Sequence, residues 1–323
     1  MKRLILIVAA VIAASVAKAE KKDSLLVMFW NLENFFDYTD DGKGESDAEF
    51  SSSGKRKWTK TRFYRKCDMV AKSLLWMNEK YGRMPDVAGF AEIENKGVLR
   101  KMMNHTLLRK YDYDIVHYDS GDKRGIDVAL LYRKSSFDKL SSSVVTPEYE
   151  GQKMSTRDIL LVCLESTYGS KINFIVNHHP SKYGGEKQTR KRRDAAMNAL
   201  NDICDSLLLT DPESRIVAMG DFNDDPSSPS FAAVEGLLSN KASSLHEDGQ
   251  GTIRYAGKWE LIDMFLTDRM TDCCSVMEIC RIPFLMVWDN THQGEKPLRT
   301  YNGPQYMGGV SDHCPIVLKI CYL

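Results

Sequence analysis

The 323-residue chain carries 44 lysines and arginines against 44 aspartates and glutamates, with 43% hydrophobic and 27% charged residues. That balance belongs to an ordinary globular protein, and it excludes a collagen-like repeat, a disordered tail protein and a multi-span membrane protein. Neutrality argues against a uniformly basic nucleic-acid binder, but electrostatic footprints are local and the sum does not veto them.

Lys2 and Arg3 open the chain, followed by an apolar run from Leu4 to Val16 and by Ala17-Lys18-Ala19. This is the order of a cleavable export signal cut after Ala19, and the run is shorter than the ~20 residues a bilayer span needs. Residues 20–323 are then the expected folded domain, periplasmic or secreted. Removing residues 1–19 takes away Lys2, Arg3 and Lys18 and no acid, which leaves the mature chain slightly acidic. Among the cysteines, Cys163, Cys204 and Cys321 sit in apolar stretches and read as small buried hydrophobes. Cys273, Cys274 and Cys280 are spaced so that a bridge can form, and no C-x-x-C pair suggests zinc.

In chain order, Leu25–Trp30 is a buried strand that stops at Asn31, and the polar stretch Tyr38–Gly54 is a long loop. Phe63, Met69, Val70, Leu74 and Met77 repeat at helical spacing between Thr61 and Lys80. Asp86–Ile93 is a second strand, and a short helix follows around Val98–Arg109. Strands are expected at Tyr113–His117, Ile126–Tyr132, Ile159–Glu165 and Lys171–Asn177. An amphipathic helix over Gln188–Leu209 leads to a strand at Arg215–Met219. The last third offers strands near Glu260–Leu266, Cys274–Ile282 and Pro315–Ile320. Several apolar runs are continuous rather than alternating, as in sheets covered on both faces. One α/β or α+β domain with stacked sheets fits best.

Acids, amides and histidines gather where these strands stop: Asn31 and Glu33, Glu92 and Glu94, His178 and His179, Asp221 and Asn223, with Asp312 and His313 just before the last strand. Strand ends are rigid mounts. Taken singly, each fragment reads as a turn or as surface charge. Their order carries more information. Phe-Trp-Asn-Leu-Glu-Asn at 29–34, Gly-Phe-Ala-Glu-Ile-Glu-Asn at 89–95, Arg-Gly-Ile-Asp-Val-Ala-Leu at 124–130, Val-Asn-His-His-Pro-Ser-Lys at 176–182, Gly-Asp-Phe-Asn-Asp at 220–224 and Ser-Asp-His-Cys-Pro-Ile at 311–316 resemble the endonuclease/exonuclease/phosphatase superfamily.

The resemblance implies a four-layer αββα sandwich of two packed mixed sheets flanked by helices, and a metal-dependent phosphodiesterase, in first place a nuclease. It implies Mg²⁺ as cofactor, with Mn²⁺ or Ca²⁺ as alternatives. Glu92 would be the main metal ligand, with Asn31 beside it and Asp312 completing the site. Asp221 would orient or deprotonate water, and Asn223 and His178 would donate to phosphoryl oxygens. His313 would sit beside phosphorus, held by Asp263. Arg124, Asp127 and Lys182 would position substrate. Glu33 is a weaker metal candidate, and His179 competes with His178 under a one-residue shift.

Two basic runs, Lys55–Lys66 and Lys182–Arg193, flank this signature. Such runs are usually solvated helix faces, yet Lys and Arg also neutralise backbone phosphates. The Tyr-x-Pro-Asn segment of abasic-site enzymes is missing. Lys258–Asp263 stands where inositol polyphosphate phosphatases carry Pro-x-Trp-Cys-Asp-Arg. The expected protein is therefore an exported, monomeric, deoxyribonuclease-like enzyme acting on nucleic acid, with no stable membrane insertion after signal cleavage. A sphingomyelinase-like or other phosphoester hydrolase is the alternative, and a non-catalytic binding module is disfavoured.

Overall fold

The computed structural model describes residues 24–42 and 44–321. The expected export signal lies outside them. Two six-stranded mixed sheets carry the fold. The first contains β1 (Ser24–Phe35), β2 (Val87–Ile93), β3 (Tyr113–His117), β4 (Asp127–Arg133), β11 (Ser275–Ile279) and β12 (Ile316–Cys321), in the order β11-β12-β1-β2-β4-β3. The second contains β5 (Phe137–Val145), β6 (Ile159–Ser166), β7 (Lys171–His178), β8 (Arg215–Asp221), β9 (Ser239–Asn240) and β10 (Asp263–Thr267), in the order β9-β10-β8-β7-β6-β5.

Each sheet has one parallel pair at its centre, β1 with β2 and β7 with β8. A parallel pair needs a long crossover, and each crossover here contains a helix. Helix α1 (Lys60–Tyr81) joins β1 to β2, and α3 (Glu186–Thr210) joins β7 to β8. Thr59 caps α1 by accepting the Arg62 N–H, and Gly82 ends it in the left-handed conformation. Helix α2 (Lys96–His105) starts from the Asn95 cap directly after β2.

The strand period of two sorts the core into layers. On β1, Leu25, Val27 and Phe29 pack between the sheets, whereas Leu26, Met28 and Trp30 pack under α1 with Phe63, Cys67, Val70, Leu74 and Met77. On the other side, Met197, Leu200, Ile203 and Cys204 of α3 join the core of the second sheet. The sheets approach closely at Gly89, where a Cβ would stand 2.6 Å from the Met219 sulfur. This is the expected four-layer sandwich.

Several elements differ from the sequence reading. The helix expected over 98–109 is broken at Thr106, whose hydroxyl accepts the Leu108 N–H and starts a separate 3₁₀ turn, Leu107–Lys110. Strand β5 was not expected, because Asp-Lys-Leu-Ser-Ser-Ser has no apolar alternation. It is an edge strand, largely exposed, paired only with β6. The eight cysteines are free thiols, so the possible bridge among Cys273, Cys274 and Cys280 is absent, and Cys321 is exposed rather than buried. No helix among the described residues is long and apolar enough to cross a membrane.

Candidate active site

The same period of two places the site. Continuing the inward-facing sets by one step, Val27-Phe29 leads to Asn31, Phe174-Val176 to His178, and Val217-Met219 to Asp221. On the antiparallel β10, Thr267-Phe265 leads to Asp263. The register confirms the alignment: Asp221 pairs with His178 on one side and with Asp263 on the other. Four polar side chains thus meet in the gap between the sheets at one rim.

Their contacts are specific. Asn31 Nδ2 donates to Asp221 Oδ2 at 3.0 Å, and the Asn223 backbone N–H donates to Asp221 Oδ1 at 3.0 Å. His178 Nε2 lies 3.5 Å from Asp221 Oδ2, and its Nδ1 is buried without a partner. His313 Nδ1 stands 2.8 Å from Asp263 Oδ2, with its Nε2 3.9 Å from carboxylate oxygens of both Asp221 and Asp312. The Thr252 hydroxyl donates to Asp263 at 2.5 Å. The loop bearing His313 is pinned from three sides. Trp30 Nε1 donates to the His313 carbonyl at 2.9 Å, Ser311 Oγ donates to the Asn31 carbonyl at 2.6 Å, and the His313 N–H donates to Ser311 Oγ at 2.9 Å.

The protonation pattern follows from these contacts. Burial, then the charge of Asp263, raises the Asp221 carboxyl to about 7. Burial disfavours a charged His313, but Asp263 outweighs it, aided by Asp221 and Asp312, and holds the imidazole well above its usual range. His178 is held well below that range by burial and by Arg157 and Arg124. The His313 imidazole is therefore favoured in its charged form against Asp263, while burial favours neutral His178.

Glu92 sits across the rim at a β-bulge. The register of β2 against β4 shifts between Ala91 and Ile93, and Glu92 takes a left-handed φ of 62°. Glu33, Asn34 and Asn223 share this disfavoured conformation, so the strand ends at the site are strained together. Glu92 Oε2 accepts the Asn34 N–H at 2.6 Å, and Arg124 Nη2 lies 3.3 Å away. Burial opposes its charge, but Arg124 and the Asn34 amide hold the carboxyl below its usual range. An ionised carboxylate whose Oε1 has only a 3.5 Å contact to Arg124 suits a hard cation. The Asn31 amide oxygen, which accepts the Glu33 N–H at 2.9 Å, is the neighbouring oxygen donor. This oxygen-only donor set fits Mg²⁺, which keeps most of its water and needs one or two carboxylates.

The other expected residues are placed differently. Asp312 is bound by Arg299 Nη2 at 3.0 Å, and Arg299 Nε also holds Glu33 Oε1 at 3.1 Å. Glu33 further accepts the Thr300 N–H at 2.7 Å, and burial, then Asp312, raises its carboxyl to about 8. Asp127 is turned away from the cluster. It accepts the Ser120 N–H at 3.0 Å and anchors the loop that carries Arg124. Lys182 lies 3.6 Å from Asp224. Asn223 spends one amide N–H on the His179 carbonyl at 3.0 Å. His179 itself is buried against Phe222, ring centroids 4.9 Å apart, so His178 and not His179 faces Asp221.

Sequence reading missed Arg157, Arg299 and the buried Lys66. Arg157 Nη2 donates to the His179 carbonyl at 2.6 Å and Nη1 to Asp122 at 3.2 Å. Lys66 Nζ donates to the Glu33 carbonyl at 2.7 Å and to Thr300 Oγ1 at 3.0 Å. Both Lys66 and Arg193 are buried inside runs that had read as solvated. Helical spacing was the available signal. Lys66 falls on the apolar stripe of Phe63, Cys67 and Val70, and Arg193 on that of Ala196, Met197 and Leu200.

His179 gives a pH-dependent stability with a definite sign. Burial, then Arg157, lowers its imidazole to about 3, against about 6.5 in an unfolded chain. The unfolded state takes up the proton first, so stability falls as pH drops below 6.5, and the loss is complete near pH 3. Between pH 7 and 5 the loss from this residue is about 2 kcal/mol. Urea unfolding at the two pH values should show this difference shrinking by that amount in His179→Gln.

Residues 26–321 match the Endonuclease/Exonuclease/phosphatase family. No curated protein matches the sequence. Solved structures share the fold at low identity. The human Nocturnin catalytic domain with bound sulfate anion is 16% identical at a TM-score of 0.60, over 93% of this chain and 94% of that one. The Bacteroides thetaiotaomicron mannosyl-6-phosphatase Bt3783 is 15% identical at 0.56, over 91% and 98%. D. rerio TDP2 complexed with single strand DNA product is 14% identical at 0.53, over 92% and 98%. The family match spans both sheets and every strand end of the rim: the chain belongs to the endonuclease/exonuclease/phosphatase family of phosphoester hydrolases.

Proposed function

We propose that this protein is a divalent-metal-dependent phosphodiesterase, exported from the cell, that hydrolyses nucleic acid through an attacking water oriented by Asp221. The observation that carries the reading is the Asp221 carboxylate, held by Asn31 and Asn223 and facing a charged His313 buttressed by Asp263. One group can accept a proton from water while the other offers positive charge to a phosphoryl oxygen. His178, neutral and within reach of Asp221, supplies a second donor or fixes the carboxylate. A cation held by Glu92, with Asn31 beside it and Asp312 across the rim, would neutralise charge developing on the phosphoryl group. Residues 20–323 would form one catalytic domain acting as a monomer.

Nucleic acid is favoured by where the exposed bases lie. Each crossover helix begins at the rim where its preceding strand ends, so the two basic runs start on either side of the cluster. Lys55, Lys57, Lys60 and Arg65 are exposed on one side, and Lys187, Lys191 and Arg192 on the other, with Arg190 half-buried. Relatives of this fold include a TDP2 bound to single-stranded DNA. The double variant Arg190→Glu, Lys191→Glu tests this reading. It should raise KM for an oligonucleotide roughly tenfold at low salt and flatten the salt dependence, by about one unit of log–log slope per lost phosphate contact. Turnover of a small chromogenic phosphodiester should not change. Equal effects on both substrates would contradict the nucleic-acid assignment.

A compact phosphoester is the second reading, and one feature favours it. A cavity of about 310 Å³ opens beside Asp312, lined by Arg254, His292, Lys296 and Arg299. Its size and charge suit a small anionic head group. Preference for a sugar or inositol phosphate over oligonucleotide would select this reading.

A further inference from the structure

A second cluster of carboxylates lies outside the catalytic rim, where the loop after β1 meets the end of β2. One oxygen from each of Asp41, Asp47 and Glu94 lies within 4.8 Å of the others. Asp47 and Glu94 are buried, at 1% and 7% exposure. Each spends one oxygen on a backbone amide: Asp47 Oδ2 accepts the Gly42 N–H at 2.6 Å, and Glu94 Oε2 accepts the Asp37 N–H at 2.7 Å. The remaining oxygens, Asp47 Oδ1 and Glu94 Oε1, are buried and reached by no N–H or hydroxyl among the described residues; the two carboxyl groups have only each other. Leaving two buried acceptors unpaired beside a third carboxylate is costly. Lys101 is engaged with Asp37, and none of the three acids has an ion-pair partner among the described residues.

We propose that Asp41, Asp47 and Glu94 form a second divalent-cation site, structural rather than catalytic and of the calcium type. The donors are hard oxygens, and the adjoining cavity of about 250 Å³ leaves room for the waters that complete six to eight ligands. Gly42 keeps the approach open: a Cβ there would stand 3.0 Å from the Asp47 carboxyl carbon and 3.1 Å from Glu94 Oε1. The loop is also docked on the turn that carries Arg124. The Glu45 N–H donates to the Lys123 carbonyl at 2.7 Å, and a Cβ on Gly44 would collide with the Arg124 carbonyl at 2.3 Å. A cation here ties the loop to β2 and so steadies the turn whose guanidinium sits on Glu92.

Calorimetric titration of Ca²⁺ into EDTA-treated Glu92→Gln protein tests the site with the catalytic ligand removed, and it does not read hydrolysis. One Ca²⁺ per chain is expected, with Kd on the order of 10⁻³ M or tighter. Adding Asp41→Asn, at an exposed position that the fold tolerates, should weaken binding at least tenfold, and adding Asp47→Asn should abolish it. Thermal melts should show Ca²⁺ stabilising the Glu92→Gln protein and failing to stabilise the Asp41→Asn double variant. No binding in the Glu92→Gln background overturns the proposal. So does unchanged affinity on adding Asp41→Asn.

Discussion

Asp221→Asn is expected to lower kcat by about a thousandfold, within the range that a general base contributes, while the protein stays folded. Asn keeps the shape, and its single amide oxygen still accepts from one of the two donors that hold Asp221, Asn31 Nδ2 or the Asn223 N–H, so the site is not dismantled. What it loses is the charge that accepts the proton and a part, smaller than that of Asp263, of the field that keeps His313 protonated. Stability should hold or rise, because burial and the neighbouring Asp263 already disfavour the Asp221 anion, and active-site charges of this kind are held at a cost to the fold. His313→Ala should lose activity on a similar scale. It leaves Asp263 buried with only Thr252 as a partner, so its melting temperature should fall where that of Asp221→Asn does not. Steady-state kinetics with parallel thermal melts separate the two effects, and turnover near wild type in folded Asp221→Asn removes the proposed base.

The second large effect is expected at Glu92. Glu92→Gln preserves the hydrogen bond from the Asn34 amide but removes the charge that faces Arg124 and would face the metal. Half-saturation by Mg²⁺ should rise by more than tenfold, beyond what loss of an outer partner of a metal ligand costs at the low end, with kcat reduced at any metal concentration. Arg124, freed from its ion pair, can fold onto an anionic substrate, so KM is expected to change less than kcat. A metal dependence identical to wild type would place the cation elsewhere in the rim.

The sequence made the architecture legible because the inner strands are continuous apolar runs and their polar stops fall in phase. Asn31, His178, Asp221 and Asp263 each continue an inward-facing alternation, and the structure brings them together at one rim. The choice between His178 and His179 turns on phase, and strand register places His178 on the Asp221 side. Other features had no local signal. Arg157 acts through an interaction with a carbonyl twenty-two residues away, and Arg299 reaches Glu33 across most of the chain. Such pairings depend on how loops close, and nothing in the neighbouring residues encodes them. The edge strand β5 escaped because exposure on both faces removes the apolar pattern. Lys66 and Arg193 were misplaced for the opposite reason, since charge density in a basic run hid helical positions that face the core.

The basic runs also show how local the charge argument must be. Part of each serves the fold, through Lys66 under the Glu33 bulge and Arg193 against Asp224. Only the remainder is available to a polyanion, and it lies at the helix starts beside the rim. Acids are gathered in the same region, at Glu33, Glu92, Asp221, Asp263 and Asp312. The overall neutrality of the chain is the sum of these opposed local demands.

The most direct test of phosphodiester hydrolysis is a substrate panel run on EDTA-treated protein with Mg²⁺, Mn²⁺ or Ca²⁺ restored. The panel holds plasmid DNA, RNA, sphingomyelin, an inositol polyphosphate and a chromogenic phosphodiester. The account predicts cleavage of nucleic acid that needs the restored metal and disappears in Asp221→Asn. Activity confined to the lipid or inositol substrates, or nucleic-acid cleavage that persists in EDTA, would contradict it.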